Sequence, residues 1–368
     1  MFTATTHRLL AAVAVVALTA GCAPARPMPG ATPPSPGLRR AWTWRVPDGG
    51  NAGMPGADPG GVAVTVNHED LVLLDGTGAA VWQVRLGDLY DAAPLLAADR
   101  VVVATDQGLA AVDRATGRRL WDADLGDRGS TPVEAAGRLV ATTWSDRLAA
   151  VDPVNGQTAW SVELPGQSLA PPAAAGATAV ATWDDGDRGG AVAVDAATGA
   201  VRWSVPLAGD GVSGPAVVGD AGAGLVVVVA GDAAVHALDP ATGAERWASA
   251  LPGPGSPEVP PTGAGRGAIA VADRDGDVAV LEHATGRRLW AVAGVGAAVR
   301  GGPVALPSGA VAIPVDDGRL LVARGGRIIA LVDPPGRVAG AVAQPGGHLV
   351  VATREATSTM VSASSLYP

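Results

Sequence analysis

The sequence predicts an all-β protein, an eight-bladed β-propeller of four-stranded antiparallel blades closed by pairing N- and C-terminal strands in one blade. Three observations predict it. A phrase ending in Trp recurs about every 40 residues. Each repeat holds four short strand-like runs. The two chain ends each supply part of one further blade. A regular period of this length is the mark of a repeat architecture, and four strands per period is that of a propeller blade.

The phrase is cleanest at 113–121, DRATGRRLW. It returns at 152–160 (DPVNGQTAW), 195–203 (DAATGAVRW), 239–247 (DPATGAERW) and 282–290 (EHATGRRLW). At 75–82 it is one residue shorter, DGTGAAVW. A degenerate copy near 324–336 puts Ala330 where Trp would stand, and Trp44 opens the same trailing segment at the N-terminal side. Val- and Ala-rich runs bounded by Gly, Asp and Pro read as strands. The Gly supplies the positive φ of a tight turn, and the Asp side chain bonds the turn's own backbone. Trp44 belongs to a fourth strand with no three strands before it. VAGAVA, HLVVAT and TMVSAS at the C-terminal side are three strands without a fourth, so together they complete the eighth blade.

The chain before the repeats has a different character. Leu9 to Ala20 is an apolar run too short for a comfortable transmembrane helix but of the length of a signal-peptide core. It ends in Leu18-Thr19-Ala20-Gly21-Cys22, small residues leading into the only cysteine. That sequence resembles the bacterial lipobox, although the position three before Cys22 holds Thr19 rather than an aliphatic residue. The resemblance implies that residues 1–21 are removed and that Cys22 carries lipid. Residues 22–40, with six prolines after Cys22, read as an extended spacer. Residues 41–368 are the propeller. The expected location is extracytoplasmic, anchored to the cell membrane.

Composition narrows the function classes. The net charge is −9, and every basic residue is Arg. This balance argues against nucleic-acid binding, which needs basic surface. One cysteine permits neither an intramolecular disulfide nor a Cys-based metal cluster. The five histidines (7, 68, 236, 283 and 348) show no ligand spacing, and Ser130, Ser168 and Ser213 lack a nucleophile frame.

The Asp-x-x-Thr-Gly-x-x-x-Trp phrase resembles the tryptophan-docking motif of quinoprotein (PQQ-type) propeller repeats, over residues 41–365. The resemblance implies that Trp44, Trp82, Trp121, Trp160, Trp203, Trp247 and Trp290 pack between neighbouring blades. With the leader, Cys22 and the spacer, the chain looks like the BamB-type lipoproteins, which implies a non-enzymatic protein-binding role. The enzymes of the superfamily use a disulfide of adjacent cysteines, a calcium ion and a catalytic Asp. No catalytic residue, cofactor or metal is therefore expected here.

Candidate binding residues come from the position of the acids in the repeat. Asp184-Asp185-Gly186-Asp187 and Asp273-Arg274-Asp275-Gly276-Asp277 lie between second and third strands, as do Asp146 and Asp316-Asp317. Each run reads either as turn chemistry or as part of a cation loop, although neither carries a closing Glu at the usual offset. Equivalent turns of a propeller share one face. That face would then carry an acidic ring, either simply solvated or docking a basic partner or cation. Trp144 and Trp183 fall at the ends of second strands and either approach this face or fill space among small neighbours. Tyr90 and Arg300 lie in inter-blade loops on the same side. The expected function is a monomeric membrane-anchored scaffold that binds an envelope protein or another extracytoplasmic component. The alternatives are a ligand or cation sensor at the channel mouth and a degenerate quinoprotein enzyme.

Overall fold

The computed structural model describes residues 12–17, 40–46, 50–168, 170–209, 212–219, 224–230, 233–251, 259–264, 267–273, 275–293, 299, 302–306, 308–315, 319–332, 337–344 and 348–354. Among them there is no helix, and the strands form eight four-stranded antiparallel sheets, the repeated unit of a β-propeller. Seven sheets are built from consecutive strands. They span residues 56–85, 95–124, 133–163, 173–207, 216–250, 262–292 and 304–332, and are numbered 1 to 7 in that order.

Sheet 3 shows why these residues make these strands. Val133–Ala135, Arg138–Thr142, Arg147–Val151 and Thr158–Glu163 follow one another across the sheet. The second and third strands are buried almost throughout, whereas the fourth alternates between exposed and half-buried. A strand points successive side chains to opposite faces. In the second strand Val140 joins a core cluster shared with sheet 4, while Leu139 and Ala141 join one shared with sheet 2. The two faces are thus both interior, which explains why these runs are nearly all Val, Ala and Leu. Eight such clusters link each sheet to the next, and the last sheet to both sheet 7 and sheet 1.

A β-bulge recurs in every fourth strand at one place. Leu73 pairs with Trp82 and the next residue, Leu74, with Ala80, so Val81 is skipped and left exposed. The same offset precedes Trp121, Trp160, Trp203, Trp247 and Trp290, and it precedes Ala330 in sheet 7, which fixes Ala330 as the degenerate member. An extra residue on one strand bends it and re-aims the side chain that follows. Here that side chain is the Trp, turned toward the neighbouring sheet.

The Trp side chains of sheets 1 to 5 each dock on the turn of the following sheet. Trp82, Trp121, Trp160 and Trp203 each lie under the turn glycine of the following sheet. A Cβ on Gly117, Gly156, Gly199 or Gly243 would come within 2.7–2.9 Å of the ring below it. These glycines have φ between +71° and +77°, which also favours glycine. The indole N–H donates to a backbone carbonyl of the same turn: Trp82 to Arg114 at 2.8 Å, Trp121 to Pro153 at 2.9 Å, Trp160 to Ala196 at 3.0 Å, Trp203 to Pro240 at 3.0 Å and Trp247 to His283 at 2.9 Å.

Two assignments need correction. The residue packed on Gly78 of sheet 1 is Trp42, not Trp44. The bulge shows why: Val15 pairs with Trp42 and Val16 with Arg40, so Trp42 is the residue after the skipped one. Trp44 lies two residues along the same strand and is half-buried against the same core. The turn at Asp75 is also one residue short, and the Trp42 Nε1 is buried without a hydrogen-bond partner.

The last sheet also departs from the expected strand assignment. Its order is Arg40–Arg45, Ala12–Ala17, His348–Arg354, Arg337–Gln344. The chain ends do combine, but the third-strand place assigned to TMVSAS is taken by Ala12–Ala17. Third strands elsewhere, such as Gly108–Asp113 and Arg147–Val151, are apolar on both faces. AVAVVA matches that composition, whereas TMVSAS carries Thr359, Ser362 and Ser364. Residues 359–364 lie outside the described residues, as does Cys22 with residues 18–39.

An ion pair ties sheet 2 to sheet 1. Arg114 donates from both terminal nitrogens to Asp58, at 2.6 and 2.7 Å, and to the Ala97 carbonyl at 2.7 Å. Burial alone would raise the Asp58 carboxyl. The Arg114 guanidinium and the Gly60 N–H outweigh that effect and hold it below the usual carboxylate range. A lowered carboxylate stabilises the fold above its unfolded value and loses that contribution as pH falls through the folded one. Arg114→Met is expected to cost about 1–3 kcal/mol, with the difference from wild type shrinking below about pH 4. Urea unfolding at pH 7 and pH 3.5 checks both parts.

Candidate functional site

The turns between second and third strands meet the inter-sheet loops on one face. Isolated antiparallel bridges join Leu89 to Thr105, Gly129 to Thr143, Gln167 to Asp184, Val299 to Val315 and Ala52 to Val66. The residue after the bridge in each loop is a structurally equivalent place. Among the described residues it is occupied by Gly53, Tyr90, Ser130 and Ser168.

Tyr90 and Trp144 come together there. Their ring centroids are 6.1 Å apart at 76°, an edge-to-face pair. Arg128, from the loop between sheets 2 and 3, completes the group: its guanidinium carbon lies 4.7 Å from the Tyr90 centroid and 5.3 Å from that of Trp144. The backbone fixes the arrangement, because Trp144 N–H donates to the Arg128 carbonyl at 2.8 Å and Tyr90 N–H to that of Ala104 at 3.0 Å. Arg128 Nε donates to Asp106 at 3.0 Å. Trp144 nonetheless remains 44% exposed, which for a residue of this size leaves a large open ring face. The sequence pointed to Trp144 and Tyr90 but not to Arg128; its place one residue before the bridging Gly129 is the signal that would have found it.

Trp183 is elsewhere. It is 6% exposed, part of the core between sheets 3 and 4. Val140 and Val180 are equivalent, each pairing with the first and third strands of its sheet. Trp144 stands four residues beyond Val140, and Trp183 three beyond Val180. One residue of offset sends a strand side chain to the opposite face. Gly190, paired with Trp183, makes the room: a Cβ there would lie 2.5 Å from the indole.

The acidic turns are largely occupied with their own geometry. Asp184 accepts from the Gly186 N–H at 2.7 Å, and Asp185 from those of Asp187 and Arg188 at 3.0 and 2.7 Å. Those backbone donors, with the Arg188 side chain, hold the Asp185 carboxyl below its ordinary range. Arg side chains also neutralise the ring, in the pairs Arg85–Glu69, Arg128–Asp106 and Arg188–Asp185. Asp146 and Asp277 are half-buried, while Asp187 and Asp275 are exposed. Asp273 is fully buried and does not face a partner; burial and the charges of Asp277 and Asp275 push its carboxyl up, and the Asp277 N–H donates to it at 2.9 Å. Asp316, Asp317 and Arg300 lie outside the described residues.

His236, Ser168 and Ser213 are bonded within the scaffold. Buried His236 bonds Glu245 through Nδ1 at 2.8 Å. Ser168 and Ser213 are buried, with Oγ within reach of backbone carbonyls.

The chain matches the family model described as outer membrane protein assembly factor BamB (PQQ_2) over residues 38–125, 105–205, 187–338 and 274–365. No curated protein matches it in sequence. Among solved structures, BamB from Moraxella catarrhalis is 20% identical and superposes with a TM-score of 0.65, over 83% of this chain and 95% of that one. A europium-containing methanol dehydrogenase is 13% identical with a TM-score of 0.62, over 82% and 83%. Quinohemoprotein alcohol dehydrogenase from Comamonas testosteroni is 13% identical with a TM-score of 0.62, over 84% and 75%. At these identities the likeness shows the fold. The donor set for a quinone cofactor with calcium does not fit: one cysteine makes no disulfide, and among the described residues no three His, Cys, Asp or Glu side chains gather around a common point.

Proposed function

The chain belongs to the PQQ_2 family, described as outer membrane protein assembly factor BamB, and from that premise we propose a closed eight-bladed propeller that binds an envelope protein and catalyses no reaction. It is held outside the cytoplasmic membrane by lipid on Cys22, after removal of residues 1–21. Residues 22–40 space the propeller from the lipid surface. Contacts between the first strands Gly56–Asp58 and Arg337–Gln344 support closure. One observation carries the binding role: the Trp144–Tyr90–Arg128 cluster leaves an indole open to solvent on the face where loops from successive sheets converge. Trp, Tyr and Arg are the side chains that dominate protein contacts, because they bury large area at modest entropic cost.

Site-specific photo-crosslinking in cells tests this reading. A crosslinker at Asp146 should capture a defined envelope protein. One at exposed Val154, on the turn between third and fourth strands, should not. Trp144→Ala with Arg128→Ala should lower capture at least tenfold, equivalent to about 1.4 kcal/mol, while leaving stability within about 0.5 kcal/mol of wild type. Equal capture from the double variant rejects the face.

One observation favours a cation-binding reading instead: Asp273 Oδ2 is buried without a hydrogen-bond partner. Calorimetric titration with Ca²⁺ decides between the two, since tight stoichiometric binding lost in Asp273→Asn would favour the sensor.

A further inference from the structure

Six arginines and no acid stand on the strands of sheet 7 and the last sheet: Arg324, Arg327, Arg40, Arg45, Arg337 and Arg354. The chain as a whole carries −9, so these strands are opposite to it in sign. They also lie on the side where the proposed anchor joins the fold. The segment that follows Cys22 enters the described structure at Arg40, the first residue of the fourth strand of the last sheet.

First strands contact those of neighbouring sheets and so lie innermost, which leaves the fourth strands at the outer rim. The rim of sheets 6 and 7 sets aliphatic side chains among its arginines. Leu289, Ile328 and Leu331 are between 44% and 51% exposed. Arg288 and Arg327 are exposed beside them, and Arg324 is half-buried. The two rims adjoin: a Cβ on Gly326 would lie 3.3 Å from the Ala291 carbonyl oxygen and 3.6 Å from Trp290 Cβ. Leu289, the residue skipped by the bulge, immediately precedes that contact, and Ile328 closely follows it. Val81, the equivalent of Leu289 in sheet 1, carries the apolar rim past the anchor-bearing strand. On sheets 4 and 5 the same place holds Arg202 and Arg246, each paired with an Asp of its own turn.

Exposed aliphatic chains framed by arginines fit the surface of a bilayer. The aliphatic groups enter the interface, and each basic residue gains from anionic headgroups. Arginine suits this place because its stem stays on apolar surface while its guanidinium reaches the phosphates. Fully extended, residues 22–40 reach roughly 60 Å. That length bounds the distance from the lipid and leaves the orientation to be set by the surface nearest the tether.

We propose that the rim of sheets 6 and 7, beside the anchor-bearing strand, is a membrane-contact surface for anionic phospholipid; the inference rests on the reading of Cys22 as the lipid anchor. Contact there lays the ring edge-on to the bilayer. In a ring of eight, sheet 3 lies across from sheet 7. Trp144 is then carried on the side farthest from the membrane, where a partner reaches it.

Vesicle sedimentation tests the surface, using the full chain carrying Cys22→Ala so that no acyl chain contributes. Mixed vesicles of phosphatidylglycerol and phosphatidylcholine should bind it roughly tenfold more tightly, or better, than phosphatidylcholine alone. Arg288→Gln, Arg324→Gln and Arg327→Gln together should lower binding to the mixed vesicles by roughly tenfold or more. Leu289→Ser with Leu331→Ser should weaken it further. Arg202→Gln with Arg246→Gln, a loss of charge on the other side of the ring, should leave it unchanged. No binding to the mixed vesicles, or an equal loss per arginine from the two sets, overturns the proposal. Amide hydrogen exchange on the unsubstituted surface gives a reading that needs no variant to fold. Mixed vesicles should slow exchange in Arg288–Val292 and Arg327–Val332 and not in Thr158–Glu163 of sheet 3; slowing in all three alike, or in none, overturns the proposal. Failure of the anchor reading looks different: the intact mass of the cellular protein would show no acyl chains on Cys22, while the vesicle results, obtained without them, would stand.

Discussion

Trp121→Ala is expected to lower stability by about 3–5 kcal/mol, enough to unfold much of the population of an ordinary domain. The indole fills the space under Gly156, is 7% exposed, and donates to the Pro153 carbonyl. Truncation removes the ring from the core between sheets 2 and 3 and orphans that carbonyl. The Phe variants separate packing from hydrogen bonding. Trp82→Phe loses the bond to Arg114 as well as some volume. Trp42→Phe loses volume but also removes a buried N–H that has no partner, and so should cost about 1 kcal/mol less than Trp82→Phe. Chemical denaturation of the three variants, compared at constant slope, measures all of this.

The second large effect is expected at the other half of the same contact. Gly156→Ala adds a methyl group 2.7 Å from Trp121 Cε3, at φ +73°. The backbone penalty is about 1–2 kcal/mol and the overpacking about 1–3 kcal/mol, so a loss of about 2–5 kcal/mol is expected. Gly126→Ala is the control. Gly126 has φ +80° but open space where its Cβ would be, so only the backbone penalty applies. If both variants lose the same stability in denaturant titrations, the ring does not press on Gly156 and the docking account fails.

Much of this architecture was legible because the repeat encodes it redundantly. Asp113 illustrates the point: its Oδ1 accepts from both the N–H and the hydroxyl of Thr116, at 2.8 and 2.6 Å, and so sets the turn that brings Gly117 over Trp82. Spacing alone located every such turn. It failed where two solutions shared one period. Trp42 and Trp44 lie two residues apart on one strand face, and only the bulge opposite Val15 and Val16 distinguishes them. Trp144 and Trp183 look equivalent by distance from the neighbouring phrase, but a one-residue offset places one outside and one inside. The third strand of the last sheet was misassigned for a different reason. Sequence order favoured residues 359–364, whereas composition favours the wholly apolar run Ala12–Ala17. Arg128 was missed because both rings that flank it are far from it in sequence, and only its place beside the bridging Gly129 marks it on this face.

The Trp contacts are directional, each reaching from one sheet to the next, and they do not go all the way round. They run from Trp42 on Gly78 to Trp247 on Gly286. Trp290 meets the turn of sheet 7 more loosely, with 3.6 Å between its Cβ and the Cβ position of Gly326, and Ala330 supplies no ring at all. Mechanically the molecule is therefore a belt with an uneven fastening, strong along most of its length and weakest where sheet 7 meets the strands drawn from both chain ends. Under load, heat or crowding that join should part first, and a protease would find its earliest cut between residues 320 and 354 rather than anywhere on the Trp-latched arc.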